Sequence, residues 1–269
     1  MDGPSRGAWA HALAELHTVL ATSDARALAA ELFSLSEIID ETAKLRRSLA
    51  DPSRDAWPKR ELARRLFGGK VSDAAMAVLE AAVSGRWVTD RDLIDALERL
   101  GIDAVFAAAQ RDGQLDQVED QLFRFERLIA ANPDLRRALG NREAPGEQKA
   151  ALVRSLLADK TLPDTVWLAQ RPVLHPRGRR YSAAIWRQLS IAARRRERIT
   201  AVVTSAVELS APQRERLAAA LAKTYGHQVF VNTVVDPSVM GGIHVRIGDD
   251  VVDGTVLRRL EDARRAMGV

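Results

Sequence analysis

An internal repeat with an offset of 90 residues constrains the fold of this chain more than any other feature. Twelve residues between positions 32 and 70 recur, without a gap, between positions 122 and 160. In both copies apolar residues follow one another at spacings of four, three and four: Leu28, Leu32, Leu35 and Ile39, then Val118, Leu122, Phe125 and Ile129. This spacing places them on one face of a helix that packs against other helices. The repeat therefore predicts two related helical bundles in tandem.

Glycine and proline mark the ends of the predicted helices. Gly101 is predicted to end the last helix of the first copy, because glycine favours the position after a helix C-terminus. The second copy then begins at Asp103, and Gly113 ends its first helix. We predict one helical bundle over residues 1–102 and a second over residues 103–198.

The remaining residues, 199–269, change to strand periodicity. A β-branched segment from Ile199 to Val207 is followed by an amphipathic helix, an alternating strand from Val229 to Val235, and two shorter strands. A final helix is expected from the apolar residues after Thr255. The predicted fold class is therefore α+β and mainly α: two tandem N-terminal helical bundles followed by a small C-terminal domain of mixed α/β structure.

Composition and charge limit the classes of function. The chain has no cysteine, which excludes disulfides and thiolate metal sites. It has no apolar run long enough to span a bilayer, and its N-terminus does not resemble a signal peptide, so we expect a cytoplasmic protein. Residues 171–200 carry nine arginines and one glutamate. This basic segment has three interpretations: a solvated helix face, a contact for an acidic protein, or a nucleic-acid site, although interleaved aromatic residues are lacking.

Residues that could support catalysis or bind a cofactor do not form a recognised pattern. Gly68-Gly69-Lys70 lacks the early glycine and the hydroxyl residue of a phosphate-binding loop, and is better explained as a helix end. Asp249, Asp250 and Asp253 lack the spacing of a calcium loop. The five histidines are scattered. We predict no catalytic residue, no metal and no cofactor.

The stretch from Val229 to Thr255 resembles the C-terminal signature of the delta subunit of the F-type ATP synthase, the relative of the oligomycin-sensitivity-conferring protein. The residues that carry the resemblance most clearly are Asp236, Gly241, Gly242, Gly248, Asp253 and Gly254. The resemblance covers residues 103–269 and leaves residues 1–102 as an additional, duplicated bundle. It implies a non-catalytic stator subunit of the peripheral stalk, which links the alpha subunits of the catalytic head to the b-type stalk.

The resemblance also implies where partners bind. The N-terminal helix of an alpha subunit is expected between the first and fifth helices of a bundle, near Val105, Phe106, Ala109, Val166, Ala169 and Gln170 in the second copy and Trp9, Leu13, Leu79 and Val83 in the first. The b-type stalk is expected at Val245, Ile247, Val251, Leu257 and Leu260. Pro172 departs from the family pattern in the fifth helix.

The implied setting is the cytoplasmic face of the cell membrane, with membrane contact only through partners, no nucleic acid and no homo-oligomer. Two alternatives stay open. Residues 1–102 could supply a second docking bundle or could only pack as a spacer. The competing function is an adaptor that binds nucleic acid through its arginine-rich helix.

Overall fold

The computed structural model describes residues 4–196, 198–225, 228–237, 239, 242–247 and 250–253. The chain divides into two compact units, Met1–Arg195 and Arg196–Val269. The predicted mainly helical fold with a small mixed C-terminal part is confirmed. The further division of the helical part at residue 102 stays a prediction.

The helical part contains eleven helices among the described residues. Several begin at the capping residues that the sequence offers: the Asp24 carboxylate accepts from the backbone N–H groups of Arg26 and Ala27, and the Asn132 side chain accepts from those of Asp134 and Leu135. The helices are α1 Pro4–Leu20, α2 Ala25–Glu41, α3 Ala43–Ala50, α4 Ala56–Phe67, α5 Asp73–Ser84, α6 Asp90–Arg111, α7 Leu115–Ala131, α8 Pro133–Gly140, α9 Gly146–Leu157, α10 Pro163–Leu174 and α11 Tyr181–Arg196.

The repeat is visible in the helix boundaries themselves. Helices α7, α8, α9 and α10 each begin and end 90 residues after α2, α3, α4 and α5 respectively. The counterpart of α1 would occupy positions 94–110, which lie inside α6. Helix α6 is therefore the last helix of the first copy and also the first helix of the second.

The predicted helix end at Gly101 is wrong, because α6 continues through it to Arg111. Every residue from Leu100 to Ala109 is buried, as expected for a helix with packed neighbours on all sides. A Cβ atom on Gly101 would lie 2.5 Å from Cε1 of Phe33 on α2. The glycine therefore permits a close approach of two helices. The helix ends where Gly113 adopts a φ of +68°, as the sequence predicts.

Pro172 lies inside α10 without ending it, and the helix continues to Leu174. Proline has no N–H for the carbonyl of Leu168, four residues earlier. That carbonyl instead accepts a hydrogen bond of 3.1 Å from Nε2 of Gln188 on α11. The next carbonyl, of Ala169, accepts from the Tyr181 hydroxyl at 2.7 Å. Side chains of α11 thus supply donors along this part of the helix.

The C-terminal unit contains a four-stranded sheet in the order β2-β1-β3-β4. Strands β1 and β2 are parallel and joined by helix α12, whereas β3 is antiparallel to β1 and β4 to β3. Its core consists of Ala201, Val203, Val229 and Val245. The predicted final helix lies outside the described residues. The elements are β1 Arg198–Ser205, α12 Ala211–Tyr225, β2 Gln228–Val235, β3 Ile243–Ile247 and β4 Asp250–Asp253.

Candidate docking surfaces

Helix α2 of the first copy lies against helix α10 of the second copy. The ring of Phe33 meets that of Trp167 edge to face, with centroids 5.4 Å apart and an interplanar angle of 83°. The guanidinium carbon of Arg171 lies 4.0 Å from the centroid of the same Phe33 ring. Phe33 is only 2% exposed, so this contact is an apolar junction between the two copies.

Ion pairs continue the junction on both sides of Phe33. Arg26 donates to both oxygens of Asp164, at 2.9 and 2.7 Å, and to Asp112 at 2.7 Å, and these hydrogen bonds raise the pKa of Arg26. Arg171 donates to Glu98 at 3.0 and 2.7 Å and to Glu37 at 2.7 Å. Burial alone would lower the pKa of Arg171, but these carboxylates outweigh it and the net shift is upward. The charges at this junction are therefore paired.

More than half of the arginines in the basic segment, residues 171–200, form such ion pairs. Five of its nine arginines form ion pairs with acidic residues of α2 and α6, so the prediction of a solvated face is wrong for these five: Arg171 with Glu37 and Glu98, Arg177 with Asp40 and Glu98, Arg179 and Arg187 with Asp95, and Arg195 with Asp103. Tyr181 is buried, and its pKa is raised by that burial. Trp186 is 47% exposed and meets Phe123 edge to face.

The predicted alpha-binding residues of the second copy are mostly inside the protein. Val105, Phe106 and Ala109 on α6 and Ala169 on α10 are each 0% exposed. Gln170 is also buried and donates to the carbonyl of Ala150 at 2.9 Å. Val166 is half-buried. These side chains pack within the bundle and are not presented on an open groove.

The predicted alpha-binding residues of the first copy include both fully buried and half-buried side chains. Leu79 and Val83 on α5 are fully buried. Trp9 and Leu13 on α1 are half-buried, and the guanidinium carbon of Arg99 lies 4.0 Å from the centroid of the Trp9 ring. Beside them α1 and α5 present small, accessible side chains that the sequence patterns did not single out, because alanine contributes little to a hydrophobic pattern: Ala10, Ala14, Ala74 and Ala77.

The predicted stalk-binding residues lie in the C-terminal unit. Val245 is buried in its core, and Ile247 and Val251 lie in β3 and β4, paired with Ala201 and Arg246. Leu257 and Leu260 lie outside the described residues. Three valines that the sequence analysis did not single out are strongly exposed near the ends of β1 and β2: Val207 at 70%, Val234 at 46% and Val235 at 50%.

Part of the predicted signature can be placed in the C-terminal unit. The backbone N–H of Asp236 donates to the carbonyl of Ser205 at 2.9 Å, which extends the pairing of β2 with β1 beyond Val235. Gly242 has a φ of +80°, a conformation that favours glycine, and Asp253 pairs with His244 between β4 and β3. Gly241, Gly248 and Gly254 lie outside the described residues.

The described part of the chain brings together no three His, Asp or Glu side chains that could hold a metal ion. None of its helices combines the length and the apolar character needed to cross a membrane. Gly69 follows the end of α4 with a φ of +71°, which supports the helix-end interpretation of the Gly68-Gly69 pair.

Comparison with known proteins identifies the family to which the chain belongs. The pattern of the family described as "ATP synthase delta (OSCP) subunit" matches residues 103–267. The chain is 46% identical to ATP synthase subunit delta of Streptomyces griseus over 269 residues, with 99% of each chain covered. It is 44% identical to that of Kineococcus radiotolerans, with 91% of this chain and 89% of the other covered. It is 42% identical to that of Acidothermus cellulolyticus, with 99% of each covered. The chain therefore belongs to the ATP synthase delta (OSCP) subunit family, the non-catalytic peripheral-stalk subunits of the F-type ATP synthase.

Proposed function

We propose that this chain fastens the alpha subunits of the catalytic head to the b-type stalk at the cytoplasmic face of the membrane. In this role it reaches the membrane only through its partners and acts as a single copy. Holding the head against rotation requires slow dissociation, and two linked contacts achieve this because each raises the effective concentration of the other.

The alpha subunit is proposed to dock on the outer face of α1 and α5. The observation that carries this proposal is the small, accessible side chains there, flanked by the half-buried Trp9 and Leu13. Small side chains let another helix approach closely, and an amphipathic helix can bury its apolar face in such a groove. The buried residues Leu79 and Val83 support this face from beneath.

The b-type stalk is proposed to bind the C-terminal unit. Val207, Val234 and Val235 expose apolar surface next to β2, which is an edge strand of the sheet. Exposed valines beside an edge strand are a suitable contact for an apolar helix end. Leu257 and Leu260 remain part of this proposal, whereas Val245 contributes by holding the core of the unit together.

The experiment is reconstitution with the isolated catalytic head and with the soluble part of the b-type subunit. We expect the full chain to bind each one alone and to join them into one complex, measured by analytical ultracentrifugation. Replacing Val234 and Val235 by Asp should weaken only the stalk contact. A chain that binds neither partner would refute the proposed function. Binding that collapses with salt and occurs equally well with RNA would instead support the nucleic-acid alternative.

A further inference from the structure

We infer that α2 permanently occupies the helix-binding groove of the second copy. The chain therefore binds one partner helix, and binds it on the first copy. This inference rests on the proposed function and specifies its stoichiometry. It reverses the expectation that duplication doubles the number of docking sites.

The repeat identifies the two grooves as equivalent surfaces. In the second copy the face of α6 that carries Gly101, which lies against Phe33 of α2, also carries Ala104 and Ala108 at helical spacing, and all three are buried. Their counterparts on α1, which are 90 residues earlier, are all exposed: His11, Ala14 and Thr18. The same type of surface is therefore covered in one copy and open in the other.

The covering element in the second copy is itself a helix. Side chains of α2 contact one face of α10 in register along the two helices: Arg26 with Asp164, Phe33 with Trp167, and Glu37 with Arg171. The structure thus already contains one helix, α2, that lies against the first and fifth helices of a bundle, α6 and α10. A helix is accordingly the occupant that the open groove of the first copy is built to receive.

The contacts that hold α2 cannot form in the first copy. Alanine stands at each of the equivalent positions of α5: Ala74 for Asp164, Ala77 for Trp167 and Ala81 for Arg171. A helix bound there meets small apolar side chains in place of charges. Its contacting face should therefore be apolar, at spacings of three and four residues, with its charges directed away.

Displacement of α2 by a partner is strongly opposed. It would expose Phe33 and would separate two buried charged side chains from their partners on α2, Asp164 from Arg26 and Arg171 from Glu37. Removing one partner from a buried charge leaves the other charge uncompensated, which is strongly unfavourable. The counterpart of Phe33 on α7 is Phe123, which is 42% exposed, so α7 carries no comparable buried contact at this position.

The test is calorimetric titration of the full chain with a synthetic peptide of the alpha subunit's N-terminal segment. We expect one peptide per chain. Ala77→Arg on the open groove should weaken binding at least tenfold, whereas the control Ala151→Arg, on an exposed position of α9, should leave it unchanged. Trp167→Ala should also leave it unchanged. If the urea midpoint shows that Ala77→Arg is poorly folded, Ala14→Arg replaces it, since Ala14 is exposed on α1.

Hydrogen exchange locates the bound peptide independently. We expect added protection in α1 and α5 and none in α10. Two peptides per chain, or protection of α10, would overturn the inference. Binding of the isolated head separates this result from the proposed function: a chain that binds the head but not the peptide overturns the inference alone, and a chain that binds neither overturns both.

Discussion

The hydrogen bond that replaces the missing donor of Pro172 leads to a quantitative prediction. Gln188→Leu removes the 3.1 Å bond from Nε2 to the carbonyl of Leu168, in a site where Gln188 is 2% exposed. A buried carbonyl left without its partner costs about 1–3 kcal/mol. Among the described residues Oε1 of Gln188 has no hydrogen-bond partner although it is buried, so its removal offsets part of this cost. We expect the variant to lose about 1–2 kcal/mol of unfolding free energy.

The cause is tested by repeating the substitution in the Pro172→Ala background. Alanine restores a backbone N–H one turn after Leu168, so this carbonyl keeps a donor when Gln188 is lost. In this background the loss of unfolding free energy caused by Gln188→Leu should be smaller by about 1 kcal/mol. In a double-mutant cycle this difference is the coupling energy between positions 172 and 188.

Urea unfolding followed by tryptophan fluorescence is the suitable assay for this cycle. All five tryptophans lie within the unit that ends at Arg195, so their fluorescence reports the unfolding of that unit alone. Equal costs in the two backgrounds would show that Gln188 does not substitute for the missing N–H, and the reasoning about Pro172 would fail.

Three further predictions use the same assay. Phe33→Ala should lower the free energy of unfolding by about 3–5 kcal/mol, because a fully packed ring is lost. Its repeat counterpart Phe123 is 42% exposed, so Phe123→Ala should lower it much less. Similar losses for the two variants would contradict the junction between α2 and α10. Gly101→Ala should destabilise by about 1–3 kcal/mol through overpacking, since its Cβ would lie 2.5 Å from a ring atom of Phe33. By contrast, Gly7→Ala should stabilise α1, because a Cβ atom on Gly7 would have nothing within 4 Å. If Gly101→Ala leaves the free energy of unfolding unchanged, the close approach of α2 and α6 is refuted. Burial raises the pKa of Asp103, but the charge of Arg195 and the hydrogen bonds with His17 and Arg195 outweigh burial and hold this pKa well below its usual range. The stabilisation from Asp103 is therefore complete above the unfolded-state pKa of about 4 and is lost as pH falls. Asp103→Asn should therefore flatten the loss of unfolding free energy on acidification, and an unchanged pH profile would refute this assignment.

The order of the helices was predictable because it rests on local signals and on one periodic feature. Caps such as Asp24 and Asn132 and the apolar seams act over a few residues, and the repeat then gives the same boundaries twice. Gly101 misled the prediction for a physical reason. Glycine ends a helix and also allows another chain to approach it, and the sequence does not distinguish these two uses.

The candidate docking residues were harder to predict because their accessibility depends on contacts between distant parts of the chain. Arg26 and Asp164 are 138 positions apart, and their ion pair helps to cover the groove in which Phe106 and Ala169 were expected to be open. No local pattern contains that information. The family resemblance points to a pair of helices in each copy, but it does not indicate that side chains of α2 contact α10.

Helix α6 has a mechanical consequence for the proposed function, in which the chain holds the catalytic head against rotation. Its 22 residues form one uninterrupted rod, about 33 Å long at 1.5 Å per residue, and both copies are built around it. No loop separates the two bundles at this point, so bending one relative to the other would require breaking backbone hydrogen bonds in the middle of a buried helix. A load applied to either bundle is therefore carried to the other without a flexible joint between them.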